Sequence, residues 1–341
     1  MRALQYRTFG SDPELVDIDV PEPGPSEIRL RVTAAGICRS DLHLLAEAEV
    51  DYAYKPLPVT LGHEVAGVVD KVGNSVRGVA LGESVLVYGS WGCGRCYQCA
   101  QGNENNCRTD DRPPGIYHDG GMAEYIVVDD ARHLIPLGDL DPVENVVLTD
   151  AGVTSYRAVK SAADKLLPGA VAVIIGVGGL GHIAIQMVKA MSKAKVVALD
   201  IGPEQLALAC QVGADHAHSS DATAVDLVRE ITNGEGALVV LDFVGSNATG
   251  ELAAAMTAKA GRIVMVGYGG GATPVGTTSV AYDVTACASN WGSRTDLMEV
   301  VELAKTGVLD IHYEKFTLEE SPQAYRRLRE GSIRGRAVVV P

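Results

Sequence analysis

The sequence is poor in positive charge and in aromatic residues, and it lacks an uninterrupted hydrophobic run. Its 341 residues include 29 Lys and Arg against 43 Asp and Glu, a formal net charge of -14. This charge repels phosphate backbones and anionic lipid headgroups, so no nucleic-acid or membrane-surface partner is expected. The one long apolar stretch, residues 170–188, contains four glycines and a histidine, which argues against a transmembrane helix. Met1–Tyr6 lacks the apolar core of a signal peptide, and we expect a cytoplasmic protein with small neutral ligands.

The chain is long enough for about two domains with buried cores. Residues 1–152 contain short β-like runs broken by Pro and Gly, which predicts a strand-rich domain. Residues 153–285 alternate strand and helix patterns, among them a helix over Ala248–Lys259. This alternation predicts an α/β domain with a doubly wound parallel sheet. Residues 286–341 predict two helices and a short strand, which we expect to return to the first domain.

Four of the seven cysteines stand within fifteen residues, at Cys93, Cys96, Cys99 and Cys107. Thiolates at this spacing can all reach one tetrahedral Zn²⁺ and leave no position vacant, which is the arrangement of a structural zinc. The alternatives are two disulfides or four unrelated thiols, but nothing in the sequence indicates an oxidising compartment. The loop therefore predicts a lobe folded around zinc.

A glycine-rich turn of the pattern G-x-G-x-x-G lies between a predicted strand and a predicted helix. It consists of Gly176, Val177, Gly178, Gly179, Leu180 and Gly181. Such a turn lets backbone N–H groups approach a pyrophosphate, and Asp200, which ends the next predicted strand, would accept hydrogen bonds from the adenosine ribose. A carboxylate there repels a 2′-phosphate, and residues 201–205 contain no Arg or Lys, so NAD is favoured over NADP. The alternative is a turn that binds no ligand.

A second set of metal-binding residue types lies outside the cysteine loop. Cys38 lies in the segment 36–43 and His63 in the segment 61–64. Taken singly, Cys38 is more often a small buried hydrophobic residue, and His63 a core histidine. Together with a carboxylate they would supply three zinc ligands and leave the fourth position open for an alcohol or carbonyl oxygen.

The chain resembles the zinc-dependent medium-chain alcohol dehydrogenases over essentially its whole length, and more closely the bacterial NAD-dependent secondary-alcohol dehydrogenases. Six stretches in the family's order carry the resemblance: 36–43, 62–64, 93–107, 149–156, 176–181 and 331–336. The resemblance implies a GroES-like catalytic domain (1–152 and 286–341) that bears the structural-zinc lobe. It also implies a Rossmann NAD-binding domain (153–285) and two zinc ions per subunit.

By this resemblance Cys38, His63 and Asp150 bind the catalytic zinc, and Glu64 is close enough to exchange onto the metal. Asp150 stands where other members have a cysteine, and its alternative role is that of a helix N-cap. The resemblance implies that zinc stabilises the alcohol oxygen as an alkoxide while NAD⁺ accepts the hydride.

The resemblance also implies proton-transfer and cofactor contacts. The alcohol proton would leave through Ser40, the nicotinamide ribose and His43. Arg39 and Arg336 would touch the pyrophosphate. The alternatives are a cap or turn hydroxyl for Ser40, a pocket-wall or surface group for His43, and solvated surface arginines.

Aromatic residues are the best candidates for the substrate pocket. Tyr54 and Trp291 are expected to line it, and Tyr268 to border the nicotinamide or the pocket. Ordinary core packing is the alternative for Trp291, and a plain loop position for Tyr268. Aromatic walls favour bulky apolar substrates, so we expect secondary alcohols and ketones, including aryl ketones.

Other functions within the family use the same zinc and cofactor residues. A polyol, threonine or primary-alcohol dehydrogenase is therefore an alternative. A non-catalytic NAD(P)-binding protein is a further one, although such proteins lack the two zinc-binding sets. The resemblance also implies a homo-oligomer, a tetramer in preference to a dimer, joined through strands near 262–290.

Overall fold

The computed structural model describes residues 1–46, 57–109 and 112–341. In these ranges the chain forms sixteen strands and ten α-helices. The strands are β1 (Arg2–Tyr6), β2 (Glu14–Asp17), β3 (Ile28–Ile37), β4 (Val59–Thr60), β5 (Glu64–Val72), β6 (Ser84–Val87), β7 (Tyr125–Val128), β8 (Leu134–Pro136), β9 (Val171–Ile175), β10 (Lys195–Asp200), β11 (His216–Ser219), β12 (Ala237–Asp242), β13 (Thr257–Met265), β14 (Thr285–Ala288), β15 (Tyr313–Thr317) and β16 (Arg336–Val340). The helices are α1 (Arg39–Ala46), α2 (Tyr97–Ala100), α3 (Pro142–Asn145), α4 (Ala151–Ser161), α5 (Gly181–Met191), α6 (Pro203–Gln211), α7 (Thr223–Ile231), α8 (Asn247–Met256), α9 (Arg294–Lys305) and α10 (Ser321–Arg329).

The chain divides into two compact units. The first unit contains Met1–Asp150, Ser293–Lys305 and Ile311–Pro341, and the second contains Ala151–Gly292 and Thr306–Asp310. Among the described residues, no helix is long and apolar enough to cross a membrane.

The first unit is built on a mixed sheet in the order β15-β16-β3-β5-β6-β8, with β7 paired to β3. The ten-residue β3 pairs antiparallel with β5, β7 and β16. Its side chains join a core of aliphatic and aromatic residues that includes Tyr6 and Tyr325. Because Gly36 near the end of β3 pairs with Glu64 at the start of β5, the residues that follow and precede these strands come together.

The second unit contains a six-stranded sheet in the order β11-β10-β9-β12-β13-β14, and every pairing in it is parallel. The central strand β9 is buried along its whole length, as expected where helices cover both faces. The predicted doubly wound α/β fold is therefore confirmed. The edge strands β11 and β14 were not predicted, because their short, partly exposed sequences lack an apolar run.

The predicted helix over Ala248–Lys259 is wrong at its C-terminal end. Helix α8 ends at Met256, and residues 257–259 open strand β13. Thr257 pairs with Ala237 of β12, and its hydroxyl donates to the carbonyl of Ala253 at 2.6 Å. Strand pairing by the β-branched Thr257 is more favourable here than continuation of the helix, although the alanines before it have high helix propensity.

Candidate metal centres and nucleotide site

The four sulfurs of the cysteine loop converge. The Sγ of Cys99 lies 3.5 Å from that of Cys96 and 4.0 Å from that of Cys93. The Sγ of Cys107 lies 4.0 Å from that of Cys96. In a tetrahedral site with Zn–S bonds of about 2.3 Å the sulfurs lie about 3.8 Å apart, so this spacing fits zinc. A hydrogen bond from Thr109 lowers the pKa of Cys93 to about 7, which favours the metal-binding thiolate, whereas burial raises the pKa of Cys99.

An ionic cluster around the buried side chains of His133 and Glu104 lies beside this loop. The Nε2 of His133 is 3.0 Å from Glu104, and its Nδ1 is 2.7 Å from Asp129. The imidazole stacks on Trp91 with the ring centres 5.6 Å apart, and Arg132 donates to Glu104. Burial lowers the pKa of His133, but the hydrogen bonds with Asp129 and Glu104 outweigh it and raise the pKa overall. Because Glu104 belongs to the cysteine loop, the cluster ties that loop to the residue that precedes β8.

A second cluster of donor groups forms where β3, β5 and the segment before α4 meet. The donor atoms of Cys38, His63, Glu64 and Asp150 all lie within 4.8 Å of one another. The Oδ2 of Asp150 is 3.1 Å from the Sγ of Cys38 and 3.6 Å from the Nε2 of His63. A Cβ at Gly36 would lie 2.1 Å from the Glu64 carboxylate, so only glycine leaves room for it.

Asp41, in the first turn of α1, orients the histidine of this cluster. Its Oδ1 lies 3.0 Å from the Nδ1 of His63, and its Oδ2 accepts from the backbone N–H of Cys38 at 3.1 Å. A proton held on Nδ1 directs the lone pair of Nε2 to a metal. Burial lowers the pKa of His63, but the charge of Asp41 and the contact with Asp150 raise it well above its usual value. Asp41 was not among the site residues predicted from sequence.

Arg336 is buried between the two carboxylates of the cluster. Its guanidinium pairs with Glu64, and its Nη2 lies 2.9 Å from the Oδ2 of Asp150. Buried charges are stable when they are compensated. The site has one guanidinium for the three carboxylates of Glu64, Asp150 and Asp41, and a divalent cation held by Cys38, His63 and Asp150 would add positive charge beside them. The set therefore fits zinc in charge and in ligand type, and the predicted pyrophosphate contact of Arg336 stays a prediction.

The predicted proton-transfer residues lie on α1. The Oγ of Ser40 is 3.4 Å from the Nε2 of His63, which places Ser40 beside the donor cluster. His43 and Arg39 are exposed. Residues three apart on a helix are neighbours on its surface, so Ser40 and His43 adjoin. The proton-transfer roles of Ser40 and His43 and the pyrophosphate contact of Arg39 stay predictions.

The glycine-rich turn in the second unit has the form that a phosphate needs. Gly176 has a φ of 89°, in the left-handed region, and a Cβ at Gly181 would lie 1.9 Å from the carbonyl oxygen of Gly176. A Cβ at Gly178 would meet nothing within 4 Å, so the turn is open on that side. Asp200 accepts a hydrogen bond from the backbone N–H of Val177 at 2.7 Å, which holds its carboxylate at the turn. The remaining members, Gly179 and Leu180, are half-buried.

The predicted aromatic pocket residues that can be placed follow β13 and β14. Tyr268 is 64% exposed and donates to Oδ1 of Asn290 at 2.8 Å. Trp291 is buried with a φ of 51°, a conformation that residues other than glycine rarely adopt. Since β13 and β14 are parallel neighbours, both residues lie at the carboxyl edge of the sheet, where such folds bind ligands. Tyr54 lies outside the described residues.

Comparison with protein families gives two matches along the chain. Residues 24–139 match the alcohol dehydrogenase GroES-like domain. Residues 179–306 match the zinc-binding dehydrogenase domain. The first segment contains the four-cysteine cluster together with Cys38, His63 and Glu64, and the second contains the last three residues of the glycine-rich turn and Asp200.

Known proteins are similar over the whole chain. An NAD-dependent alcohol dehydrogenase of Sulfurisphaera tokodaii is 37% identical and covers 100% of both chains. A D-arabinose 1-dehydrogenase (NADP(+)) of Saccharolobus solfataricus is 33% identical over 100% of this chain and 97% of its own. The crystal structure of the alcohol dehydrogenase from the archaeon Aeropyrum pernix matches with a TM-score of 0.93 and 36% identity, again over 100% of both chains. The chain belongs to the zinc-dependent medium-chain alcohol dehydrogenase family.

Proposed function

We propose that this protein is an NAD-dependent zinc alcohol dehydrogenase that interconverts secondary alcohols, including aryl alcohols, with their ketones. The observation that carries the proposal is the convergence of Cys38, His63, Glu64 and Asp150 in a chain that also has a dinucleotide-binding turn. Full-length similarity to alcohol dehydrogenases supports it. The finer placement among bacterial secondary-alcohol enzymes is part of the proposal.

Cys38, His63 and Asp150 would hold the catalytic zinc. The Oδ2 of Asp150 approaches both other donors, at 3.1 Å from Cys38 and 3.6 Å from His63. Arg336 contacts the carboxylates of both Glu64 and Asp150. Three protein donors leave one tetrahedral position for a substrate oxygen. When bound there, zinc supplies a Lewis acid that lowers the pKa of an alcohol.

Ser40 and His43 would carry the alcohol proton away. The Ser40 hydroxyl lies beside the donor cluster, and a hydroxyl can accept one proton while it donates another. His43 is exposed on the same face of α1, and an imidazole has one nitrogen that can accept a proton and one that can donate. These positions support a path from the substrate oxygen to solvent.

Asp200 would select NAD over NADP. Its two carboxylate oxygens accept from the N–H groups of Val177 at 2.7 Å and Gly202 at 3.0 Å, which fixes the negative charge. A 2′-phosphate placed there would be repelled, at a cost of several kcal/mol. We expect Asp200→Ala to lower the ratio of kcat/KM for NAD⁺ to that for NADP⁺ on the order of a hundredfold. An unchanged ratio would show that another residue sets the preference.

The substrate class is tested by NADH formation from a panel of alcohols. The panel is 2-octanol, 1-phenylethanol, ethanol, sorbitol, threonine and D-arabinose, assayed before and after chelation and again after zinc is restored. We expect fast, zinc-dependent turnover of 2-octanol and 1-phenylethanol, because Tyr268 and Trp291 are the proposed aromatic residues of the substrate pocket. Preference for a sugar, a polyol, threonine or ethanol would move the protein to another activity of the family. No turnover by zinc-loaded protein that binds NAD would refute the proposed substrates.

We also propose that the protein is a cytoplasmic homotetramer. Strand β14 is at one end of the sheet order in the second unit, where pairing with a second copy would extend the sheet. A monomeric mass in light scattering would contradict the tetramer.

A further inference from the structure

A buried tyrosine of the carboxyl-terminal segment reaches the partners of the catalytic-site histidine. The hydroxyl of Tyr325, on α10, donates to the Oδ2 of Asp41 at 2.9 Å, across 284 residues of sequence. The other oxygen of Asp41 lies 3.0 Å from the Nδ1 of His63. The three residues are between 1% and 2% exposed, so water does not solvate these contacts.

We propose that Tyr325 is a positioning residue for the catalytic metal, which acts through Asp41 on the metal-binding face of His63. This inference rests on the proposed function, because it requires a metal ion held by Cys38, His63 and Asp150. It assigns a role in the metal centre to α10, a helix that contributes no donor atom to either metal-binding cluster among the described residues.

The physical reason is the number of donors that a buried carboxylate needs. Asp41 accepts from the Cys38 N–H and the Tyr325 hydroxyl on Oδ2, and its Oδ1 contacts the Nδ1 of His63 at 3.0 Å. A buried carboxylate that loses a donor cannot replace it with water, and the loss costs more than an ordinary hydrogen bond. Without the tyrosine hydroxyl, Asp41 is held less firmly, and so is the ring of His63 that it orients.

This loss of positioning acts on the metal. The partner of a ligating histidine fixes the orientation of its ring, and a ring that is held less firmly releases the metal more readily. Burial and the charge of Asp41 raise the pKa of Tyr325 well above its usual value, so the hydroxyl keeps the proton that it donates. The hydroxyl of Tyr325 therefore acts on the metal centre, while its ring packs in the core like any other buried aromatic residue.

Tyr6 provides a matched control. It belongs to the same core cluster and is also fully buried. Its hydroxyl accepts from the backbone N–H of Gly10 at 2.9 Å and lies 3.5 Å from the carbonyl oxygen of Leu45, so these bonds reach only backbone groups. Tyr6→Phe and Tyr325→Phe thus remove the same atom from the same core, but only the second removes a donor to Asp41.

The test measures the metal directly in full-length protein. Co²⁺ replaces the catalytic zinc, and the visible spectrum and the rate of metal release to a chelator are recorded for wild type, Tyr325→Phe and Tyr6→Phe. We expect Tyr325→Phe to release the catalytic metal roughly three- to tenfold faster and to shift the Co²⁺ bands, because contacts to ligand partners alter metal affinity by about 10- to 100-fold. Tyr6→Phe should match wild type in both readouts, and the four-cysteine site should be unaffected in both variants.

A double-mutant cycle with Asp41→Asn gives the sharper result. Asp41→Asn should accelerate release more than Tyr325→Phe, and the double variant should release metal no faster than Asp41→Asn alone. Release from Tyr325→Phe at the rate of Tyr6→Phe, or effects that simply add, would overturn the inference and leave Tyr325 as a core residue. A wild-type chain that takes up metal only at the four cysteines would instead refute the proposed function.

A second variant keeps the inference testable if Tyr325→Phe fails to fold. Replacement of Tyr325 by 3-fluorotyrosine keeps the ring and makes the hydroxyl a stronger donor. We then expect slower metal release than in wild type, and an unchanged rate would overturn the inference.

Discussion

The four-cysteine cluster and the Cys38-His63-Glu64-Asp150 cluster lie in the same unit but are built in opposite ways. The first takes four identical donors from one loop of fifteen residues. The second takes thiol, imidazole and carboxylate donors from three separated parts of the chain. The cysteine loop has only to fold back on itself, whereas the second cluster exists only after β3 and β5 have paired.

The surroundings of the two clusters differ as well. Backbone N–H groups of Cys93 and Cys96 donate to sulfurs of the cysteine loop. Buried charged side chains, Asp41 and Arg336, hold the donors of the second cluster. A closed set of thiolates suits a metal that stabilises the fold, and a mixed set with ionic partners suits one that meets a substrate.

Removal of one ligand from each cluster should therefore have different results. Cys38→Ala should lower kcat by on the order of 10³- to 10⁴-fold, because the metal supplies several kcal/mol of transition-state stabilisation. The variant should keep one zinc per chain, and its melting temperature should fall less than that of a variant that loses the zinc of the four cysteines. Metal analysis, steady-state kinetics and calorimetry measure these effects, with Cys210→Ala, an exposed cysteine, as control. Loss of both zinc ions would show that the clusters are not independent.

Cys99→Ala should act on stability instead. It should lower the free energy of unfolding by about 4 kcal/mol, because a structural zinc contributes binding energy directly to folding. The kcat of the molecules that remain folded should change less than about threefold, since the second cluster keeps its donors. Urea titration followed by activity measurement separates the two effects. A large fall in kcat without a loss of stability would contradict the structural role.

The two clusters also differ in how well their ligands could be predicted from the sequence. The cysteine loop is recognisable from spacing alone, because its donors are neighbours in the chain. Cys38 and His63 were suggested by residue type, but Asp150 as their partner came only from the resemblance. The parallel sheet followed from the alternation of strand and helix patterns, although the junction at Met256 was misplaced where strand pairing overrides propensity.

Contacts between distant residues left no signal in the sequence. Asp41 stands three residues after Cys38, yet its contact with His63 depends on the pairing of β3 with β5. Tyr325 is 284 residues from Asp41, and no periodicity or spacing connects them. Arg336 was expected at a pyrophosphate, and only the structure shows its contacts with carboxylates.

Asp150→Cys would make the second cluster more like the first. A thiolate is a softer ligand than a carboxylate and keeps the negative charge beside Arg336. We expect zinc release to a chelator about tenfold slower than in wild type. Asp150→Asn, which removes the charge, should release zinc faster than wild type. Faster release from the cysteine variant would show that Asp150 is not a ligand.

The smallest expected effect concerns the ionic cluster of His133, Glu104 and Asp129, which supports the cysteine loop. The raised pKa of His133 means that its stabilising contribution is complete below the unfolded value of about 6.5 and is lost as the pH rises through the folded value. The lowered pKa values of Glu104 and Asp129 have the opposite sign: their contribution is present above about pH 4.5 and is lost in acid. The cluster should therefore stabilise the first unit most between about pH 4.5 and 6.5.

His133→Gln tests this window. In zinc-loaded wild type the free energy of unfolding should fall as the pH rises from 6.5 to above the folded pKa of His133. The expected fall is about 1 to 2 kcal/mol, which is the size of a hydrogen bond to a charged group. The variant should lack this decline. It should still lose stability at acid pH, because other carboxylates become protonated there. Equal slopes above pH 6.5 would mean that the buried imidazole is neutral in the folded protein. In that case the loop would depend on zinc and backbone hydrogen bonds alone, and the two metal clusters would differ even more in their need for charged partners.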